Sequence, residues 1–436
     1  MALTKTLASS VIYRSMNVAI LFIVNILLSR LAGVENYGFL SLLIANATIF
    51  NLLSAFGIDS AITFHTASGK IATRKLVAFL LSVVLFQFLL LTILELIVWL
   101  STGQTWLLKS DMSYGWWGIA LVIAISLIEK YSALLIGRQL FNLFNRAVLL
   151  ANGLLLVTML GFYFSGDIGF SWLLRVYVLF QLFQAVFLMI AYHYLDQHQL
   201  RVAVPASSDW KLFFSYSLLA FTINLIQFLA YRVDYWILDH YRGEVELGWY
   251  SAAVRLAQFF WILPLLFASI ILPKVADRSQ PLDDMRMLGL IRGMNVLNII
   301  IGLALLFSSK FFIPLLFGKN YTESVEIFNI LLPGVILFCI ATILASWFAG
   351  HNQLRINLGG SLLCLAVVVV LDIWLIPTQG MKGAAVASSI AYGATAIYYV
   401  IVYCSTARIS PAKLFIPEPN DAKYIRGVFR FIFSKR

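Results

Sequence analysis

Arg14 and Arg255 are the two basic residues of the chain that are assigned to no loop and fall well inside long apolar stretches. A planar guanidinium can donate two hydrogen bonds to one oxyanion, so arginines held in an enclosed site suit an anionic, phosphate-bearing ligand. At 100° per residue, Ser10, Arg14, Asn17 and Asn25 share one helical arc. Three further stripes repeat the pattern: Ser41, Thr48, Asn51 and Asp59; Ser217, Asn224, Gln227, Tyr231 and Tyr235; and Ser251, Arg255, Gln258 and Ser269. Small polar residues often hold membrane helices together, and for any single Ser or Thr that is the simpler reading. Four coincident stripes carrying amides and two arginines instead predict a wet cavity, with Arg14, Asn17, Asn25, Asn51, Asp59, Asn224, Gln227, Ser251, Arg255 and Gln258 as its binding residues.

The elements that must carry these stripes follow from composition. Of the 436 residues, 61% are hydrophobic and 12% charged, and the mean hydropathy is +0.90. Soluble domains do not have this balance. A spanning helix needs roughly 20 mostly apolar residues, which predicts an all-α integral membrane protein of about twelve spans. They fall at 7–30, 37–64, 76–100, 115–136, 147–164, 171–194, 212–238, 248–273, 287–308, 327–349, 357–376 and 384–405. The polar stripes lie on spans 1, 2, 7 and 8. Arg14, Asn17 and Asn25 interrupt the first apolar run and no small-x-small site follows it, so it reads as a retained span rather than a signal peptide. Pro264, inside the eighth span, is a candidate bend.

A net charge of +11 would fit nucleic acid if it formed a patch, but the charges alternate between loops. Twenty-one lysines and arginines fall on one side, among them Lys70, Arg74, Lys75, Arg138, Arg146, Arg201, Lys211 and seven after residue 405. Eight fall on the other: Arg30, Lys109, Arg175, Arg232, Arg242, Lys310, Lys319 and Lys382. The positive-inside bias then puts both termini in the cytoplasm. No nucleic-acid partner is expected; the bilayer is, and the basic tail fits either its anionic inner leaflet or plain solvent.

An internal repeat divides the chain. Gly33-Val-Glu-Asn-Tyr-Gly38 matches Gly243-Glu-Val-Glu-Leu-Gly248 at an offset of 210; Gly137-Arg-Gln-Leu matches Gly350-His-Asn-Gln at 213; Gly166-Asp-Ile-Gly169 matches Gly380-Met-Lys-Gly383 at 214. The expected organisation is an N-terminal six-helix lobe over 1–195, a cytoplasmic linker over 196–211, a C-terminal six-helix lobe over 212–405 and a basic tail over 406–436. Six spans per half make the repeats parallel, a transporter architecture in which substrate sits between halves that rock.

Other chemistry is poorly supported. Cys339, Cys364 and Cys404 have no metal or redox spacing, and the five histidines are scattered, so no metal site is expected. No Gly-Lys-Ser or Gly-Lys-Thr phosphate loop occurs, so the reading calls for no catalytic residue and no cofactor. Glu95 and Asp372 lie near span ends and read as interfacial; Glu129 and Lys130 are adjacent and point to different faces, implying no ion pair.

Four loose motifs in order then carry a resemblance over nearly the whole chain. They are Ser29-Arg-Leu-Ala-Gly-Val-Glu-Asn-Tyr-Gly-Phe-Leu-Ser41, Gly57-Ile-Asp-Ser-Ala61, Leu316-Phe-Gly-Lys-Asn-Tyr321 and Gly380-Met-Lys-Gly-Ala-Ala385. The chain resembles the polysaccharide transport family of the multidrug, oligosaccharidyl-lipid and polysaccharide exporter superfamily, and within it the Wzx-type O-antigen flippases. That resemblance implies two six-helix lobes in a V and alternating access. It also implies a cell inner membrane location and a substrate of lipopolysaccharide assembly, an undecaprenyl-diphosphate-linked oligosaccharide carried to the periplasmic leaflet. A polysaccharide polymerase and a chain-length regulator would be partners. Arg14 and Arg255 would take two of the family's basic cavity positions, whereas span 2 departs from the pattern by offering Asp59 and no arginine.

Competing expectations are a multidrug or other small-solute secondary transporter, including one of the major facilitator type, and a membrane polysaccharide polymerase. The first should bury a carboxylate deep in an N-lobe helix. The facilitator should carry a fuller Gly and Arg-Lys loop than His65-Thr-Ala-Ser-Gly-Lys-Ile-Ala-Thr-Arg-Lys75, and the polymerase a large outward loop, whereas every outward loop here is short.

Overall fold

The structure is a computed structural model that describes residues 2–69, 71–166, 168–195, 203, 207–276, 284–419 and 421. Side chains are described for all of these except residues 2–12, 14, 195, 207–209, 211, 212, 215, 216, 219, 266, 269, 270, 272–274, 276 and 284–286. In hydrocarbon no water satisfies backbone N–H and C=O groups, so the chain must satisfy them within helices. Among the described residues every regular element is helical: α1 (Ala2–Ala55), α2 (Ile58–Ser68), α3 (Thr73–Thr102), α4 (Met112–Gly137), α5 (Phe141–Ser165), α6 (Phe170–Leu195), α7 (Ser207–Phe260), α8 (Ile262–Ala276), α9 (Asp284–Phe317), α10 (Ser324–Gly350), α11 (Leu354–Gln379) and α12 (Met381–Ala407). Nine of these are long and apolar enough to cross a membrane.

The helices do not match the twelve expected spans one for one. α1 joins the first span to most of the second across a break at Gly33, and α7 joins the seventh to the start of the eighth across a break at Gly243. The second span is interrupted again at Phe56–Gly57, where both residues have positive φ. The eighth is interrupted at Trp261, so that Pro264 sits in the first turn of α8, where its missing N–H costs no helical bond. α8, with 15 residues, is too short to be among the nine. α7 carries Arg232, Asp234, Asp239, Arg242, Glu244 and Glu246 within about four turns.

The internal repeat is built into the backbone. Gly33 (φ 75°, ψ 174°) and Gly243 (φ 79°, ψ −176°) adopt the same left-handed, extended conformation inside two 54-residue helices. Gln139 (φ 59°) and Asn352 (φ 61°) end the second matched pair alike. There Arg138, Gln139 and Leu140 N–H donate to Leu134, Ile136 and Leu135, as His351, Asn352 and Gln353 donate to Trp347, Ala349 and Phe348. Such left-handed closures satisfy carbonyls that the helix end leaves free. Gly166 and Gly380 close α5 and α11, again with positive φ.

Packing divides the chain into two units: residues 1–32 with 40–228, and residues 33–39 with 229–436. In the first unit, Ile58, Ile62, Leu76, Phe79, Leu80, Tyr131, Leu134, Leu188 and Phe213 form a core that draws α2, α3, α4, α6 and α7 together. Asp111 caps α4 by accepting from the Ser113 hydroxyl and the Met112 N–H, which hold its carboxyl below the usual range. Glu95, expected at an interface, is fully buried and accepts the Trp106 and Leu107 N–H groups at 2.7 and 3.1 Å. Its role is to tie the α3–α4 turn.

In the second unit α10 is buried along most of its length against α8, α9 and α12. Small residues set the spacing: a Cβ on Gly334 would meet the Ser389 backbone, and the Ser389 hydroxyl accepts the Gly334 N–H at 3.1 Å. The two repeat segments also meet inside this unit. A Cβ on Gly38 would fall on the Glu244 carbonyl, and one on Gly248 would fall on the Val34 carbonyl. With an offset of 210 these are one contact made twice. Finally, Arg292 of α9, 2% exposed, donates in bidentate fashion to Asp421 at 2.9 Å and to Glu418 at 2.8 Å. Asn295 donates to the Leu414 carbonyl at 3.1 Å, so the segment after α12 is strapped to α9.

Two expectations follow. Gly38→Ala or Gly248→Ala should lower the thermal midpoint of the purified protein, because overpacking against backbone costs about 1–3 kcal/mol. Arg292→Ala leaves the buried Asp421 carboxylate unpaired at a cost of about 3 kcal/mol, and proteolysis after Lys413 should accelerate relative to the wild type.

Candidate functional site

The breaks in the second span shape a site within the first unit. The break at Phe56–Gly57 ends α1 and restarts the chain as α2, with Asp59 in its first turn, where a carboxylate is favoured by the helix dipole. α1 contributes Thr48 and Asn51, α2 contributes Asp59, Ser60 and Thr63, α4 contributes Glu129 and Ser132 three residues apart, and α7 contributes Asn224. Together with Leu52, Ile128, Ala133, Ile136 and Phe228 they line a cavity of about 490 Å³, within the roughly 300–1,000 Å³ of small-molecule sites.

Behind the lining runs a chain of hydrogen bonds through otherwise apolar packing. Lys130 Nζ donates to Ser126 Oγ at 2.8 Å, and Ser126 donates to Gln87 Oε1 at 2.5 Å. Gln87 Nε2 reaches Asn51 Oδ1 and Ser54 Oγ, both at 2.9 Å, and Asn51 Nδ2 donates to Glu129 Oε2. Gln87, Ser126 and Lys130 are all fully buried. A buried ammonium is tolerated only with partners, and besides Ser126 it has the Asp59 carboxylate at 3.7 Å, whose side chain is 30% exposed. Glu129 and Lys130 thus point apart and are joined through Asn51, Gln87 and Ser126, with Asp59 at the far end of the circuit beside Lys130. The circuit fixes the Asn51, Asp59 and Glu129 side chains at the cavity wall.

The lining is rich in acceptors. Thr48 commits its hydroxyl proton to the Ile44 carbonyl at 2.7 Å and Thr63 commits its own to Asp59 O at 3.0 Å, so both oxygens are left to accept. Asn51 gives one amide N–H to Glu129, and its Oδ1 accepts from Gln87. Among the described residues the lining includes two carboxylic acids and no Lys, Arg or His. Such a wall can bind hydroxyl or ammonium donors.

Of the ten expected binding residues, Asn51, Asp59 and Asn224 line this cavity. Asn17 accepts from Asn152 of α5 at 2.7 Å, and Asn25 donates to Leu21 O in its own helix. Gln227 is exposed one turn beyond Asn224 and is not part of the wall. The Arg14 side chain lies outside the described residues. The other three lie in the second unit. Ser251 is buried and donates to Gly248 O at 3.2 Å, Gln258 accepts from Arg232 at 3.3 Å, and Arg255 lies beside the Tyr37 phenol. That unit also buries a polar group that sequence reasoning missed. Tyr250 donates to Asp234 Oδ2 and sits 3.2 Å from Ser388 Oγ; Asp372, expected at an interface, is instead fully buried, with no hydrogen-bond partner among the described residues. The cavity partners Glu129, Gln87 and Lys130 were also missed. The available signal was an isolated glutamine in the apolar run of α3 and the polar positions 126, 129, 130 and 132 of α4.

With the geometry in hand, similarity to known proteins adds the family. Over 171 residues the chain is 25% identical to the capsular polysaccharide biosynthesis protein CapF of Staphylococcus aureus, covering 38% of this chain and 43% of that protein. The chain therefore spans less than half the length of that relative. The fold is similar to the lipid II flippase MurJ in an inward closed conformation, with a TM-score of 0.71 and 14% identity over 98% of this chain and 97% of that one. It is also similar to an inward-facing multidrug resistance transporter of the MATE family (TM-score 0.69, 14% identity, 90% and 96% covered). A further likeness is to a MOP superfamily transporter from Pyrococcus furiosus (TM-score 0.62, 14% identity, 99% and 96% covered). At these identities the likeness is one of fold. A family model described as polysaccharide biosynthesis protein matches residues 27–326, more than half of the chain, and the protein belongs to that family.

Proposed function

We propose that the protein is a flippase that carries an undecaprenyl-diphosphate-linked oligosaccharide, an O-antigen or related repeat unit, from the cytoplasmic to the periplasmic leaflet by alternating access. The observation that carries this reading is a polar, acceptor-rich cavity held among membrane-crossing helices in a member of a polysaccharide biosynthesis family. A sugar presents many hydroxyl donors, and a bilayer offers them no partner; the Asn51, Asp59, Glu129 and Asn224 wall supplies one. Asn17, Asn25, Gln227, Ser251 and Gln258 are the further polar residues this reading assigns to the substrate, and Arg14 and Arg255 are the residues suited to the diphosphate.

The excess of Lys and Arg on alternate loops supports an inner-membrane topology with both termini cytoplasmic. In this reading the lobes are 1–195 and 212–405, joined by 196–211, with 406–436 as a basic cytoplasmic tail. A polysaccharide polymerase and a chain-length regulator would act on the delivered unit. Transport of this kind needs no catalytic residue or cofactor from the chain. One observation favours a second reading, a multidrug or small-solute transporter: the carboxyl groups of Asp59 and Glu129 would also suit a cationic drug.

Deleting the gene in its host should abolish surface polysaccharide while short undecaprenyl-linked units accumulate, with a plasmid copy restoring both. Arg14→Gln and Arg255→Gln should each cut that restoration at least tenfold at unchanged membrane levels, the loss expected when a charge-assisted hydrogen bond of about 1.5–3 kcal/mol is removed. Intact polysaccharide with lost drug tolerance would favour the second reading.

A further inference from the structure

We propose that the cavity of the first unit selects the sugar end of the substrate by charge: neutral and amino-bearing sugars are accepted, and sugars carrying carboxylate or phosphate are rejected. This rests on the transport reading for its biological setting, and on the cavity alone for its chemistry.

Three features carry it. The first is the direction of the hydrogen bonds. Thr48 and Thr63 turn their protons to backbone carbonyls and Asn51 directs one amide N–H to Glu129, so these hydroxyls and the Asp59 and Glu129 carboxyl groups meet a ligand chiefly as acceptors. An anionic group has only acceptors to offer such a wall, and like-charge juxtaposition costs several kcal/mol.

The second is the placement of the cation nearest the wall among the described residues. Lys130 follows Glu129 directly, yet its ammonium is fully buried, donates to Ser126 and faces Asp59 from behind; it is not part of the lining. The cation that could have received a carboxylate or phosphate is spent holding the wall in place. A diphosphate bound elsewhere by arginine and a sugar bound here would then read opposite ends of one molecule with opposite chemistry.

The third is that neutral groups complete the wall. Ser60, Ser132 and Asn224 can each donate and accept, the pattern that matches vicinal hydroxyls, while Leu52, Ile128 and Phe228 offer apolar surface to the C–H face of a ring. An ammonium or hydroxyl of the sugar would donate to Asp59 and Glu129.

The test uses the purified full chain in lipid nanodiscs, with glucosamine, glucose and glucuronate as probes at constant sodium, and binding read by saturation-transfer NMR and by thermal midpoint. Glucosamine should bind at least about tenfold more tightly than glucuronate, with glucose between them. Asp59→Asn with Glu129→Gln should bring the three within about threefold of one another. Asn224→Lys alters an exposed position and does not endanger folding; it should raise glucuronate affinity about tenfold. Equal binding of glucuronate and glucosamine by the wild type, no binding of any sugar, or an order unmoved by these variants would overturn the proposal. So would sodium alone displacing glucosamine at low millimolar concentration. If the sugar order holds while the deletion strain keeps its surface polysaccharide, the transport reading fails and the charge selection stands.

Discussion

A polar side chain surrounded by hydrocarbon must find its partners inside the protein, because no water is there to bond it. Gln87 shows how this requirement organises the first packing unit. It sits on α3 among leucines and phenylalanines, fully buried, and its amide is satisfied by Asn51 and Ser54 on one side and by Ser126 on the other. Those bonds fix where α1, α3 and α4 lie relative to one another. They also bring Lys130 into a place where its charge is offset by Asp59. The cavity wall is the outer edge of that circuit, so the same bonds that let polar groups survive burial aim Asn51, Asp59 and Glu129 at open space.

The second unit solves the same problem with aromatic hydroxyls. Tyr250 links Asp234 to Ser388 across helices, and Arg232 lies over the Tyr235 ring with its ring-centroid distance at 4.8 Å while donating to Gln258. Arginine suits this setting because a weakly hydrated, planar cation stacks on aromatic faces.

Much of the fold was legible in the sequence. The apolar runs located the helices, and all three internal matches mark turns that share backbone conformation, because a positive φ demands glycine, or asparagine and glutamine at some cost, wherever the chain must turn sharply. Of the interruptions inside the second and eighth spans, the one at Trp261 was signalled by Pro264 in the turn that follows it, whereas the one at Phe56–Gly57 was not anticipated although Gly57 takes a positive φ there. The candidate site was half legible. Asn51, Asp59 and Asn224 stood out as polar residues in apolar arcs. Glu129 and Lys130 were set aside because neighbours on a helix cannot pair, which is true; what periodicity could not show is that each has a partner on a different helix. Ser251 and Asn25 had the spacing of cavity residues, yet each bonds to its own helix.

The reciprocal approach of Gly38 to Glu244 and of Gly248 to Val34 has the form of an isologous contact, in which one patch meets its own copy. In a two-fold homodimer a single residue serves both halves of such a contact, and any substitution strikes it twice. Once two copies are joined in one polypeptide, that constraint is halved. Only the atoms at the crossing must stay small, and the flanks are free to diverge: Val34 stands opposite Glu244 in the alignment, and Tyr37 opposite Leu247. The asymmetry of the present molecule, with acceptor chemistry on one repeat and arginine and tyrosine on the other, is the freedom that joining confers on a duplicated scaffold.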